Sequence, residues 1–250
     1  MKENAYGITI IIPIFNEEEG IGRLLPAFEE YVKSSKFEVN LLLVNDGSTD
    51  NSLSEIKKLA DLHEFVGYLS FDRNAGLSAA IRAGVEYSRT KWVGYIDADL
   101  QTDPMDFLKL EAMLADYDLV TGRREGRKDS WVKKMSSAFA NKFRESILHD
   151  GVHDSGCPLK IMRRSVALEM PFFKGMHRFF PALALIQRKK VIEIPVKHFP
   201  RITGKSKFNV WNRLLSPLQD TMALHWMMKR QADYIISENS IKNHKAVIHE

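Results

Sequence analysis

The sequence predicts an α/β fold with a mostly parallel central sheet flanked by helices. Through roughly residue 120, apolar runs of strand length alternate with amphipathic helical patterns. Three of those runs lead directly into polar clusters: NEE at 16–18, NDGSTD at 45–50 and DADLQ at 97–101. Ligands of such sheets sit at the carboxyl ends of the strands, so three polar clusters on one rim predict a single site. The 250 residues, 44% hydrophobic and 27% charged, suffice for one large domain or a domain with an appendage, and exclude a disordered or fibrous chain.

The elements follow in order. Residues 8–15, ITIIIPIF, form a strand with Pro13 at its exit, and 18–35 an amphipathic helix interrupted early by Gly22 and Pro26. The apolar run from residue 39 is a buried strand that enters a turn and then a helix over 53–63. Residues 65–71 are a third strand, 75–89 a helix rich in small residues, and 92–99 a fourth strand. Asp103 reads as the N-cap and Pro104 as the first position of a helix over 104–117. From about residue 121 the pattern is less regular and more basic.

The formal net charge of +4 fits mild attraction to phosphates or anionic surfaces and falls short of a nucleic-acid footprint. The single cysteine, Cys157, cannot form an intramolecular disulfide; it fits a reducing compartment and reads as a small buried hydrophobe. The apolar stretch before Asn16 is too short for a signal peptide or a membrane span, so no export is expected. No linker or internal repeat divides the chain. Gly-X-Gly-X-X-Gly and P-loop patterns are absent, and His149 and His153 read as exposed loop residues without zinc-ligand spacing.

Were residues 95–101 extended, Asp97, Asp99 and Gln101 would share a face and offer three oxygen donors, a set suited to Mg²⁺ or Mn²⁺. Asp46, Gly47 and Ser48 form a turn that opens a helix and can present a carboxylate and backbone N–H groups to a ligand.

Taken in order, PIFNEE, VNDGSTD, RNAGLSAAIRAG, DADLQTDP and RITGKSKF resemble the family 2 glycosyltransferases of GT-A fold, in the polyprenyl-phosphate (dolichol-phosphate mannose synthase-like) branch, over roughly residues 8–212. The resemblance implies a nucleotide-sugar site formed by Pro13, Phe15, Glu17, Asp46, Asp97, Ala98, Asp99, Arg201 and Lys207. It implies Asp97, Asp99 and Gln101 as ligands of Mg²⁺ or Mn²⁺, and Arg123 and Lys205 as contacts of the acceptor phosphate. Asp97, Asp99, Arg123 and Asp154 are its candidate catalytic residues. The family often has two aspartates where this sequence has Asn45-Asp46; the second, which in relatives contacts the base, is kept as Asp46. The implied reaction moves a hexose, with inversion, from a UDP- or GDP-sugar to a polyprenyl phosphate. An acceptor phosphate is largely ionised near neutrality, since its second pKa is about 6, and needs cations rather than a strong base. Arg123, Arg178, Arg201, Lys205 and Lys207 are candidates.

In the sibling reading, the acceptor is a saccharide hydroxyl and Asp154 is the base. A dehalogenase-like phosphatase would use Asp97 and Asp99 but wants threonine where Gln101 stands. A scaffold that has lost activity is at odds with the metal triad.

Residues 1–208 are expected to form the catalytic domain, with a nucleotide-binding half (1–120) and an acceptor-binding half (121–208). Residues 209–250 would supply amphipathic interfacial helices and a polar, frayed tail. Ser216-Pro217 reads as a helix start, and Trp211, Leu214, Leu215, Leu218, Met222 and Trp226 fall near one helical face. Arg213, Gln219, Asp220 and His225 argue against a span. With Lys229 and Arg230 alongside, that face suits the cytoplasmic surface of a membrane, with peripheral rather than integral attachment. The domain itself or a second subunit in a homodimer is its other possible partner.

Overall fold

The computed structural model describes residues 4–125, 141–200, 210–232 and 237–238, the side chains of residues 4, 5 and 210–216 excepted. Among the described residues, seven strands form one sheet in the order β3-β2-β1-β4-β6-β5-β7. They are β1 (Asn4–Ile14), β2 (Glu38–Asn45), β3 (Val66–Ser70), β4 (Thr90–Tyr95), β5 (Leu119–Glu125), β6 (Lys160–Arg163) and β7 (Val191–Lys197). Only β6 runs against its neighbours, antiparallel to both β4 and β5. The sheet is therefore mostly parallel, as the alternating pattern predicts.

The helices are α1 (Glu18–Ile21), α2 (Leu24–Ser34), α3 (Ser52–Leu62), α4 (Leu77–Tyr87), α5 (Phe107–Glu111), α6 (141–148), α7 (Arg164–Glu169), α8 (Phe180–Ile186) and α9 (Val210–Lys229). They cover both faces of the sheet. On one face Ile8, Ile10 and Ile12 pack with Phe28 and Phe107; on the other Ile11 packs with Ile81, Val85, Phe180 and Leu224. A central strand buried on both sides reads as an unbroken apolar run, and this is why β1 is so visible in the sequence.

Several expectations are corrected. The break between α1 and α2 falls at Gly22 and Arg23, whereas Pro26 lies in the first turn of α2, where no intrahelical N–H is required. The strand expected over 92–99 ends at Tyr95, because residues 98–99 turn and Leu100 takes a φ of 52°. Asp103 does cap the next element, accepting from the Met105 N–H at 3.0 Å. That element is a 3-10 turn over Pro104–Asp106 followed by the five-residue α5, not one long helix. Pro217 does not start a helix: α9 runs through it from Val210 to Lys229. The proline costs the helix one N–H donor, but the turns that follow are anchored by buried Thr221 and Leu224. No described helix is long and apolar enough to cross a membrane.

Candidate active site

The strand order turns back on itself between β1 and β4, and the loops leaving β1, β2 and β4 meet at that crevice. At the exit of β1, Asn16 has a φ of 52°. Its N–H donates to Ser48 Oγ at 3.0 Å, and its Oδ1 accepts from the Thr49 N–H at 2.8 Å. One residue on, the Glu17 N–H donates to Ser52 Oγ at 3.0 Å. The small polar residues of NDGSTDNS thus clasp the β1 loop, so that Pro13, Phe15 and Glu17 sit half-buried on the rim.

At the exit of β2, Asp46 is buried. Its carboxylate accepts from the Ala75 N–H at 2.7 Å, the Gly76 N–H at 2.9 Å and Asn74 Nδ2 at 2.9 Å. As it stands, the residue expected to meet a nucleotide base ties β2 to the loop before α4. Burial still pushes its pKa above the usual carboxylate value, against the lowering effect of these donors. Gly47 is required beside it, because its φ is 65° and an added Cβ would lie 2.2 Å from the Arg73 carbonyl carbon. Asn45, beside Asp46, donates to Ser70 Oγ at 2.9 Å and accepts from the Ser48 N–H at 3.1 Å.

At the exit of β4, Asp97 follows the strand and Ala98 and Asp99 turn, so residues 95–101 do not form an extended run. The Tyr95 hydroxyl donates to Asp97 Oδ1 at 2.6 Å, and Asp99 Oδ1 accepts the Gln101 N–H at 3.1 Å. Gln101 joins the loop to the far half of the chain. Its carbonyl accepts the Phe199 N–H at 2.8 Å, and its Nε2 donates to the Phe199 carbonyl at 3.4 Å. Burial, then the charge of Asp99, push the Asp97 carboxyl well above the usual range, as expected for two carboxylates sharing a low-dielectric site. A divalent cation would relieve that repulsion, and two carboxylates with a carboxamide nearby are the donors that Mg²⁺ and Mn²⁺ take. The residues therefore fit such a metal, with Asp97 and Asp99 as the pair that would hold it.

Behind this pair lies a charged layer of which only Asp154 was named from the sequence. Arg124 donates to Asp154 from its backbone N–H (3.1 Å), Nε (2.8 Å) and Nη2 (2.7 Å). Glu193 Oε1 accepts the Asp154 N–H at 2.7 Å, and its Oε2 accepts the His153 N–H at 3.1 Å. Lys160 is fully buried, donates to the carbonyls of Ser155 and Cys157, and has its pKa lowered by burial. Cys157 is buried as expected, its thiol pushed up to about 11. His149 and His153 are exposed.

Arg123, the cation named from the sequence, is exposed on β5 with Glu125 3.5 Å away, while its neighbour Arg124 turns inward. Strand alternation separates the two, but the signal was hidden because this strand was not recognised. Arg178 lies at the end of a 3-10 turn, Met176–Arg178. Arg201, Lys205 and Lys207 lie outside the described residues. Ser78 in α4 accepts the Gly175 N–H at 2.9 Å and lies within hydrogen-bond distance, 2.9 Å, of His177 Nδ1. Burial, then Arg178, hold His177 down to about 3, and it is neutral.

The glycosyl transferase family 2 model matches residues 9–170, which include every described loop of this crevice except the 193–199 segment. The chain belongs to glycosyl transferase family 2. This family 2 chain is 32% identical over 231 residues, 90% of its length, to a dodecaprenyl-phosphate galacturonate synthase of Rhizobium johnstonii, of which it covers 68%. It is 34% identical over 204 residues, 81% of its length, to an undecaprenyl-phosphate 4-deoxy-4-formamido-L-arabinose transferase of Proteus mirabilis, of which it covers 63%. It thus spans about two thirds of the length of these relatives. Among solved structures, it superposes on glucosyl-3-phosphoglycerate synthase from Mycobacterium tuberculosis in complex with Mn²⁺, UDP and glucosyl-3-phosphoglycerate. The TM-score is 0.67 at 15% identity, covering 91% of this chain and 81% of that one. At that identity the likeness is one of fold, and the fold is GT-A.

Proposed function

We propose that this family 2 chain transfers a hexose, with inversion and with a bound divalent metal, from a UDP- or GDP-sugar to a polyprenyl phosphate. The observation that carries the reading is the Asp97–Asp99 pair at the switch point of a GT-A sheet, in a chain 32% and 34% identical to enzymes named for dodecaprenyl and undecaprenyl phosphate. Asp97 and Asp99, with Gln101, would hold Mg²⁺ or Mn²⁺, which when bound neutralises charge on the departing diphosphate. Pro13, Phe15, Glu17, Asp46 and Ala98 line the nucleotide side, with Arg201 and Lys207 on the donor phosphates. Arg123 and Lys205 receive the acceptor phosphate. That acceptor, already ionised, needs no base.

Asp154 supports this reading over transfer to a hydroxyl. A carboxylate that accepts three hydrogen bonds from Arg124 is a poor proton acceptor. In this reading Asp154 serves by fixing Arg124 beneath the site.

Within the reading, residues 1–208 are the catalytic domain and 209–250 the membrane-facing extension. On α9, Thr221 and Leu224 face the domain, while Met222 and Trp226 are 52% and 60% exposed, with the Arg230 guanidinium 5.4 Å from the Trp226 ring centroid. An exposed apolar face next to Lys229 and Arg230 suits peripheral contact with the cytoplasmic leaflet, where a lipid-linked acceptor would be met. A second copy of the chain is the competing partner for that face.

The test is to incubate purified protein with UDP- and GDP-sugars, Mg²⁺ or Mn²⁺ and undecaprenyl phosphate, and to measure sugar in the lipid phase, with Asp99→Asn as control. Metal-dependent labelling, lost in the variant, is expected. Donor turnover without lipid labelling would move the assignment to a hydroxyl acceptor.

A further inference from the structure

Position 95 closes β4 at the floor of the crevice. Its ring packs with Ile11, Val93 and Met162, and the residue is 3% exposed. Phenylalanine would satisfy that packing equally well. A buried tyrosine hydroxyl needs a hydrogen-bond partner, and the partner it takes here is Asp97 Oδ1 at 2.6 Å, a charge-assisted length. Asp97 follows the last residue of the strand by two positions, in a segment that has already left the sheet, so no ladder hydrogen bond fixes its side chain. The phenol does so instead. Tyr95 is itself held by the β4–β6 register, in which it faces the fully buried Lys160.

We propose that Tyr95 is a positioning residue of the metal site: its hydroxyl, bonded to Oδ1, fixes the orientation of the Asp97 carboxylate that would hold the cation. The inference rests on the metal-dependent reading of the Asp97–Asp99 pair. Hydrogen bonds of this kind, from an outer residue to a metal-ligating carboxylate, set metal affinity as well as orientation, and their loss weakens binding about 10- to 100-fold.

The test is Mn²⁺ binding, read from the free-ion EPR signal with and without UDP, for the full chain and three variants. Tyr95→Phe should bind Mn²⁺ about 10- to 100-fold more weakly while melting near the parent temperature. Tyr31→Phe is the control for a merely structural hydroxyl, since Tyr31 is also buried and donates to a carboxylate, Glu111, at 2.7 Å in a different part of the core. It should change the melting temperature and leave Mn²⁺ affinity alone. Asp97→Asn should abolish binding. Parental affinity in Tyr95→Phe, with binding lost in Asp97→Asn, overturns the role of Tyr95 alone. Parental affinity in Asp97→Asn overturns the metal reading and this inference together. Should Tyr95→Phe not fold, the unmutated chain labelled with ζ-¹³C tyrosine decides: Mg²⁺ should shift the Tyr95 resonance and leave that of Tyr31 in place. Equal insensitivity of the two overturns the proposal.

Discussion

His177 is a neutral imidazole buried against Arg178, its Nδ1 hydrogen-bonded with Ser78 Oγ at 2.9 Å. Its pKa falls from the ordinary 6.5 to about 3 on folding. The unfolded chain therefore binds a proton that the folded chain refuses, and stability drains away as pH falls below 6.5 toward 3. His177→Gln should flatten that loss. Urea midpoints between pH 7 and 4.5 should fall more steeply in the parent than in the variant, and parallel slopes would contradict the assignment. His177 had no local signal in the sequence, since what neutralises it is first of all its burial in the fold, and its hydrogen-bond partner Ser78 lies 99 positions away. Asp46 is similar. Its turn was legible from the glycine and serine that follow, but the donors that claim its carboxylate lie 28 to 30 positions along the chain. The place of Asp97 and Asp99 at the rim was legible because they directly follow a buried strand, whereas Arg124 and Lys160 were not singled out by any local pattern.

Among the elements, β1, β2 and β4 were legible because central parallel strands are continuous apolar runs, and the edge strand β3 from its place in the strand–helix alternation. The other three were hidden for physical reasons. β5 ends in Arg123, Arg124 and Glu125, β6 spans four residues, and β7 carries Pro195 at the edge of the sheet, where a missing donor is tolerated. That Met222 and Trp226 share one face of a helix was legible, the continuity of α9 through Pro217 and the burial of Leu224 on its other face were not, and the two faces separate stability from surface binding. Leu224 is 1% exposed in the core, so Leu224→Ala should destabilise by about 2–5 kcal/mol. Trp226→Ser, on the outer face, should change stability by no more than about 0.5 kcal/mol. The same substitution should reduce co-sedimentation with anionic vesicles at low salt. If it instead weakened self-association and left vesicle binding intact, the face would belong to a second copy.

At the scale of the molecule, the two halves expected from the sequence share one sheet. β4 pairs with β1 on one side and with β6 on the other, so the nucleotide half is closed by a strand that lies more than sixty residues further along. Val120, Leu159, Ile161 and Val196 complete one core cluster; Leu119, Met162, Phe180 and Leu183 complete the other. A fragment of residues 1–118 would bare the edge of β4 and remove those side chains from both faces of β1 and β4. Such a fragment should show no cooperative thermal transition, whereas the full chain should melt once, with near- and far-UV circular dichroism changing together. A cooperative melt of the fragment would make the halves independent domains. The dependence reaches the site, because Asp97 is held by Tyr95, Tyr95 lies in register with Lys160, and Gln101 is bonded to Phe199. The carboxylate pair and Tyr95 belong to the first half by sequence, and the charges beside them, Arg124 and Lys160, to the second.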